Sequence, residues 1–144
     1  RISREGQGLS VQGIPELRAI TADMGNMPDV APTLAVVAAF AQGQTSIRNI
    51  AHLRVKESDR VSAVVTELRR LGVEVREEED AMHIQGRGGE GLHGARIETY
   101  KDHRIAMSFA LAGLRVSGVE IAGEDCVAKS FPDFWQRFQV LGKS

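Results

Sequence analysis

The sequence predicts an α/β fold built from a duplicated strand–helix unit, and three observations predict it. Short β-prone runs alternate with helical runs along the chain, the pattern of layered α/β domains. Two helical runs, one ending near Ala41 and one at 105–112, are apolar nearly all round, so each must be covered on most faces. Residues of like type also recur at one offset. Asp29 and Asp102 each precede an apolar helix, Lys56 and Lys129 each follow the next strand, and both pairs are 73 residues apart (29 to 102, 56 to 129). That offset exceeds the periods of common solenoids, so it marks a duplicated supersecondary unit of roughly 70 residues.

The elements follow in order. Val11 and residues 19–23 read as strands. Residues 29–41 read as a helix with Asp29 near its N-cap, Pro32 in its first turn and Gly43 past its end. Residues 45–50 form the next strand. Ser58 is the expected cap of a second helix that runs to Leu71 and stops at Gly72. There Val61, Val64, Val65, Leu68 and Leu71 make one stripe and leave Glu67, Arg69 and Arg70 toward water. Residues 73–76 and 82–85 flank the acidic turn Glu77-Glu78-Glu79-Asp80 as a hairpin. Residues 86–94 are a glycine-rich surface loop, without the strand–turn–helix context of a nucleotide fingerprint. A third helix starts after Asp102, and residues 119–121 form a strand. Ser130 with Asp133 resembles a capping box for a last helix whose Phe134, Trp135 and Phe138 are expected in the core.

Composition narrows the function classes. With 144 residues the chain makes one domain or a piece of a larger one, and it is long enough to bury a core. The formal charge is -1 with both signs interspersed, so the basic stripe of a nucleic-acid binder is missing. Every apolar run is broken short of a membrane span. Neither nucleic acid nor membrane is therefore an expected partner. The single cysteine, Cys126, allows no internal disulfide and no CxxC pair, and points to a reducing, cytoplasmic setting. The chain opens on Arg1 rather than Met, which suggests a processed or excised piece and leaves an upstream segment open.

Charge is concentrated just ahead of the helices: Asp29, the run Lys56-Glu57-Ser58-Asp59-Arg60, and Asp102-His103-Arg104. Helix N-termini present free N–H groups and partial positive charge, which favour anions. Lys56, Arg60, Arg104 and Lys129 add four cations from separate segments. Arginine forks onto phosphate or carboxylate, whereas lysine acts as a point charge. Glu57 lies among these cations as a candidate proton donor or acceptor, and Asp29 is a candidate base for a hydroxyl. The pattern points to a small, multiply anionic substrate. Spacing alone also fits solvated, capped first turns with local ion pairs, and Asp102 fits a plain N-cap. His83 and His93 read as ordinary strand or surface residues. No HxH, HExxH or Cys/His spacing supports a metal.

Taken jointly, Met27-Pro28-Asp29, Leu53-Arg54-Val55-Lys56-Glu57-Ser58-Asp59-Arg60, Glu98-Thr99-Tyr100 with Asp102-His103-Arg104-Ile105-Ala106-Met107, and Ala128-Lys129-Ser130-Phe131-Pro132 closely resemble the 3-phosphoshikimate 1-carboxyvinyltransferase (EPSP synthase) family. The resemblance runs from about Val11 onward. It implies repeated βαβαββ units around buried parallel helices, here as part of one lobe. Residues 1–144 would then be a C-terminal part holding roughly two of a lobe's three units, with the second lobe absent. It implies transfer of the enolpyruvyl group of phosphoenolpyruvate to the 5-hydroxyl of shikimate 3-phosphate, by addition and then elimination of phosphate.

By the same resemblance Asp29 holds or deprotonates the hydroxyl, and Glu57, with Lys129, manages the methylene proton. Lys56 bridges the two substrates. Arg60, Arg104 and Lys129 clamp phosphoenolpyruvate, with His103 beside them. His52 stands where many members carry Asn against the shikimate side, while Ser58 and Ile105 are tolerated variants. No metal or organic cofactor is implied. The implied partners are phosphoenolpyruvate, shikimate 3-phosphate and the missing N-terminal portion, without which the fragment is expected to be inactive. The alternatives are another enolpyruvyl transferase, such as one acting on UDP-N-acetylglucosamine, or a non-catalytic anion-binding lobe.

Overall fold

A computed structural model describes residues 2–141. The chain opens with an exposed antiparallel hairpin, β1 (Ile2–Glu5) and β2 (Gly8–Val11). Two short strands, β3 (Leu17–Arg18) and β4 (Thr21–Asp23), then pair in parallel with β5 (Ala41–Arg48). Between them lie a 3₁₀ turn, Pro28–Val30, and helix α1 (Ala31–Ala38). A second 3₁₀ turn, Ala51–Val55, leads to α2 (Arg60–Arg70). The antiparallel hairpin β6 (Glu74–Glu77) and β7 (Ala81–Arg87) completes the sheet through β5. Next come β8 (Arg96–Glu98), α3 (His103–Ala110), β9 (Glu120–Ala122) and α4 (Phe134–Leu141), with β8 and β9 parallel.

The repeated fold class is visible in this order. The run β4–α1–β5–α2–β6–β7 is a complete βαβαββ unit, and β8–α3–β9–α4 retraces its first four elements. The 3₁₀ turns Ala51–Val55 and Glu124–Val127 also begin 73 residues apart (51 to 124). Helices α1 and α3 lie against each other and are joined by a 2.9 Å hydrogen bond between the Thr33 and Ser108 hydroxyls. Ala31, Ala35 and Val36 of α1, Val64 and Leu68 of α2, and Ile105 and Phe109 of α3 share one core with Ile47, Met82, Ile84 and Ile97. Because these helices are covered by one another and by the sheet, apolar side chains can occupy nearly every face.

Several boundaries differ from the sequence reading. The first helix ends at Ala38, and Ala41 already begins β5. Gly43 is a strand residue at φ 99°, paired with Gly86, not a helix stop. Asp29 caps nothing: α1 follows Val30 with no side-chain cap. The cap of α2 is Asp59, which accepts from the Ser62 N–H at 2.9 Å, and not Ser58. Glu67, expected in water, is fully buried. At α4, Ser130 donates to the Val127 carbonyl and Asp133 pairs with Arg137, so no capping box forms. Phe134, Trp135 and Phe138 are half-buried and pack on one another, with no residue of α4 in the core. Strands β1, β3 and β8 escaped the sequence reading, although β4, β6 and β9 of similar length were read.

Gly86 shows how tightly α1 meets the sheet. A Cβ there would lie 2.3 Å from the Ala41 carbonyl oxygen and 2.4 Å from that of Ala38. Both obstacles are backbone, so they cannot swing aside. Gly86→Ala is expected to destabilise the chain by about 1–3 kcal/mol, read as a lower urea midpoint at unchanged slope.

Candidate active site

The 3₁₀ turn before α1, the segment before α2 and the N-terminus of α3 converge on one guanidinium. Arg60, the first residue of α2, is only 2% exposed. Its Nε donates to Asp102 Oδ2 at 2.8 Å, and its Nη2 donates to Asp102 Oδ1 at 3.2 Å and to Glu57 Oε2 at 2.7 Å. Its Nη1 donates to Asp29 Oδ1 at 2.9 Å. Three carboxylates from three segments thus surround one cation.

Asp102 is more than a cap. It is completely buried and accepts two further bonds, from the Ser58 hydroxyl at 3.0 Å and the Arg104 N–H at 2.9 Å. Burial by itself pushes its pKa up. The Arg60 fork and the backbone and hydroxyl donors outweigh that and hold it below its ordinary range. Arg60 is held the other way: burial alone lowers its pKa, but the carboxylates, led by Asp102, raise it.

Asp29 also receives Arg104 Nη2 at 3.2 Å, so its two oxygens bridge Arg60 and Arg104. Asp29 and Asp102, the two residues related by the repeat, therefore meet the same arginine from opposite units. Glu57, Asp29 and Arg104 keep side-chain exposures of 41%, 46% and 38%, so this rim is open to a ligand while Arg60 and Asp102 form its floor.

His103, between Asp102 and Arg104 in the sequence, is buried, and its Nδ1 has no hydrogen-bond partner. Desolvation lowers its pKa. Asp102 opposes the shift, while Arg104 and Lys129 reinforce it. Neutral imidazole is thereby favoured. Lys129 is exposed at the edge of a cleft of about 380 Å³ lined by Thr99, Lys101, Gly123, Asp125 and Cys126. Lys56 and His52 are both exposed, Lys56 in extended backbone and His52 on the second 3₁₀ turn.

The structure thus gathers Asp29, Glu57, Arg60 and Arg104 into direct contact and sets His103 in the same wall. Lys56, Lys129 and His52 make no ion pair with that cluster. Sequence reasoning missed Asp102 as the hub and Ser58 as its donor, because both residues also suit a helix start. Among the described residues no group of three or more His, Cys, Asp or Glu could hold a metal ion. None of their helices is long and apolar enough to cross a membrane.

Residues 1–138 match the family model described as EPSP synthase (3-phosphoshikimate 1-carboxyvinyltransferase). The chain belongs to the EPSP synthase family. It is 52% identical over 141 residues to the 3-phosphoshikimate 1-carboxyvinyltransferase of Syntrophobacter fumaroxidans, covering 98% of this chain and 33% of that protein. It is 50% identical to the enzyme of the same name from Mannheimia succiniciproducens, over 88% of this chain and 29% of that one. Among solved structures, the EPSP synthase from Acinetobacter baumannii superposes with a TM-score of 0.76 at 41% identity, over 84% of this chain and 29% of the other. The enolpyruvyl transferase NikO from Streptomyces tendae shares the fold, with a TM-score of 0.75 at 21% identity over 99% of this chain. The chain spans about a third of the length of the EPSP synthase relatives it matches.

Proposed function

We propose that this chain is the C-terminal part of one lobe of an EPSP synthase, about two βαβαββ units, whose whole protein transfers the enolpyruvyl group of phosphoenolpyruvate to the 5-hydroxyl of shikimate 3-phosphate. The observation that carries the reading is the convergence of Asp29, Glu57 and Asp102 on Arg60, with Arg104 bridged through Asp29. Such a site holds a fixed array of cations and carboxylates ready for an anion and a proton transfer together. The relatives' shared name supports the shikimate substrate over the alternative acceptors. A cytoplasmic setting is part of the same proposal, supported by a lone cysteine, Cys126.

In this reading Asp29 receives the hydroxyl proton as the substrate oxygen bonds to the central carbon of phosphoenolpyruvate. Glu57, assisted by Lys129, delivers a proton to the methylene carbon and later removes one as phosphate leaves. Arg104 and Lys129 hold carboxylate and phosphate, Lys56 spans the two substrates, and His103 and His52 flank them. Arg60 is occupied on every nitrogen. Nη1 keeps a second N–H beyond the one given to Asp29, so a substrate anion reaches Arg60 through that donor or by displacing Asp29 or Glu57, its two exposed partners.

The test is a chimera in which this chain replaces the matching third of the Syntrophobacter fumaroxidans protein. Phosphate release from phosphoenolpyruvate that depends on shikimate 3-phosphate is the expected result. A folded chimera that binds phosphoenolpyruvate without turnover would instead identify a binding module, and turnover only with another hydroxyl acceptor would identify a different enolpyruvyl transferase.

A further inference from the structure

Glu67 is a buried acid that the reaction does not use. It lies on α2 two turns beyond Arg60 and is fully buried. Residues 60 and 67 sit on one helix face, since seven residues make close to two turns. Arg60 grips Asp102, while Glu67 accepts the Tyr100 hydroxyl at 2.7 Å through Oε1 and the Glu98 N–H at 3.1 Å through Oε2. One face of α2 therefore fastens the segment 98–102 at both ends.

The segment between these fastenings is strained. Tyr100 and Lys101 both adopt left-handed backbone, at φ 55° and 57°. Side chains other than glycine resist that region, and strain of this kind persists only where the surroundings over-determine it. The Asp102 N–H closes the turn onto the Thr99 carbonyl at 2.8 Å. The turn delivers Asp102 to Arg60, and with it Arg104 to Asp29.

We infer that Glu67 is a positioning residue for the anion site: by holding Tyr100 and the Glu98 N–H it keeps the 98–102 turn in the one geometry that seats Asp102 on Arg60 and aims Arg104. It touches no reacting atom. Its significance for catalysis rests on the site reading above.

The experiment uses this chain and the chimera, each as Glu67→Gln and as Tyr100→Phe. Tyr100 is 43% exposed, so deleting its hydroxyl removes one bond without opening the core. It is also the only tyrosine in the chain, so ultraviolet titration reports it alone. Burial, with the bond to Glu67 next, raises its pKa to about 12, and Glu67→Gln should lower that midpoint. The deciding readout is hydrogen exchange at the Arg60 Nε–H by nuclear magnetic resonance. Both variants should speed it at least about tenfold, because the bond to Asp102 is no longer held. In the chimera, KM for phosphoenolpyruvate should rise about tenfold or more while kcat changes less, as misplacement of a positioned group costs binding geometry.

Unchanged Arg60 exchange in both variants overturns the inference. So does an equal acceleration in Val64→Ala, which loosens the same helix without touching the turn. A chimera silent in its unmutated form would sink the functional reading alone, while the exchange data on this chain still decide the role of Glu67.

Discussion

Asp102→Ala lowers the stability of the chain by about 3–5 kcal/mol, the loss expected when one partner of a buried ion pair is removed and the other stays buried. Arg60 is 2% exposed and Asp102 fully buried, and two bonds join them. The truncation strands the guanidinium and also frees the Ser58 hydroxyl and the Arg104 N–H. Urea unfolding measures the effect. The double variant Arg60→Met with Asp102→Leu should recover much of the loss, because an apolar pair of similar bulk spares both desolvation costs. A loss under about 1 kcal/mol in the single variant would mean that solvent reaches this floor as it does a surface pair. The sign of the pH effect follows. Asp102 ionises more readily in the folded chain than at its ordinary value of 3.8. Its contribution is therefore complete above that value and is lost as pH falls through the lower, folded one. Asp102→Asn should remove that part of the acid-unfolding slope.

The second large effect is on turnover. Glu57→Gln in the chimera is expected to cut kcat by about 10²–10⁴-fold, the range for losing a positioned proton-transfer group. The amide keeps the shape and can still accept from Arg60 Nη2, now 2.7 Å from the carboxylate. The side chain is 41% exposed, so stability should move by less than about 1 kcal/mol. Phosphate release at saturating substrates makes the comparison. A kcat within threefold of the parent, or about 0.7 kcal/mol of barrier at most, would transfer the proton work to Lys129.

Much of this was legible in the sequence. The apolar helices, the acidic hairpin turn and the 73-residue offset reflect local chemistry and a repeated pattern, and they survive in α1, α3, β6–β7 and the paired 3₁₀ turns. Asp29, Glu57, Arg60 and Arg104, each singled out within a few residues of a helix start, lie in direct contact in the structure, while their roles belong to the proposed function. What escaped was decided by tertiary contact. Ser58 and Asp59 are equally good caps on propensity, and only Asp102, 44 residues away from Ser58, selects between them. Glu67 reads as solvated until Tyr100 is brought to it from 33 residues away. One signal stood in the sequence: residues 60, 64, 67 and 71 share one helical face, on which Val64 and Leu71 flank Glu67. The aromatic group on α4 resembles core by composition, but its members pack on one another and on Phe131, and the Glu124 carbonyl takes the Trp135 N–H at 2.9 Å.

The resting cluster carries its own counter-ions. Arg60 and Arg104 are outnumbered by the three carboxylates of Asp29, Glu57 and Asp102 before any ligand arrives, so these two arginines project no net positive field into solution. In the proposed function, long-range capture of the anion falls to Lys56 and Lys129, which stand exposed outside the cluster. In that proposal, an anion that seats by displacing Asp29 or Glu57 exchanges one anionic partner of the guanidinium for another. Ionic strength should consequently tune how fast an anion is collected, through the lysines, far more than how firmly the arginines grip it once seated.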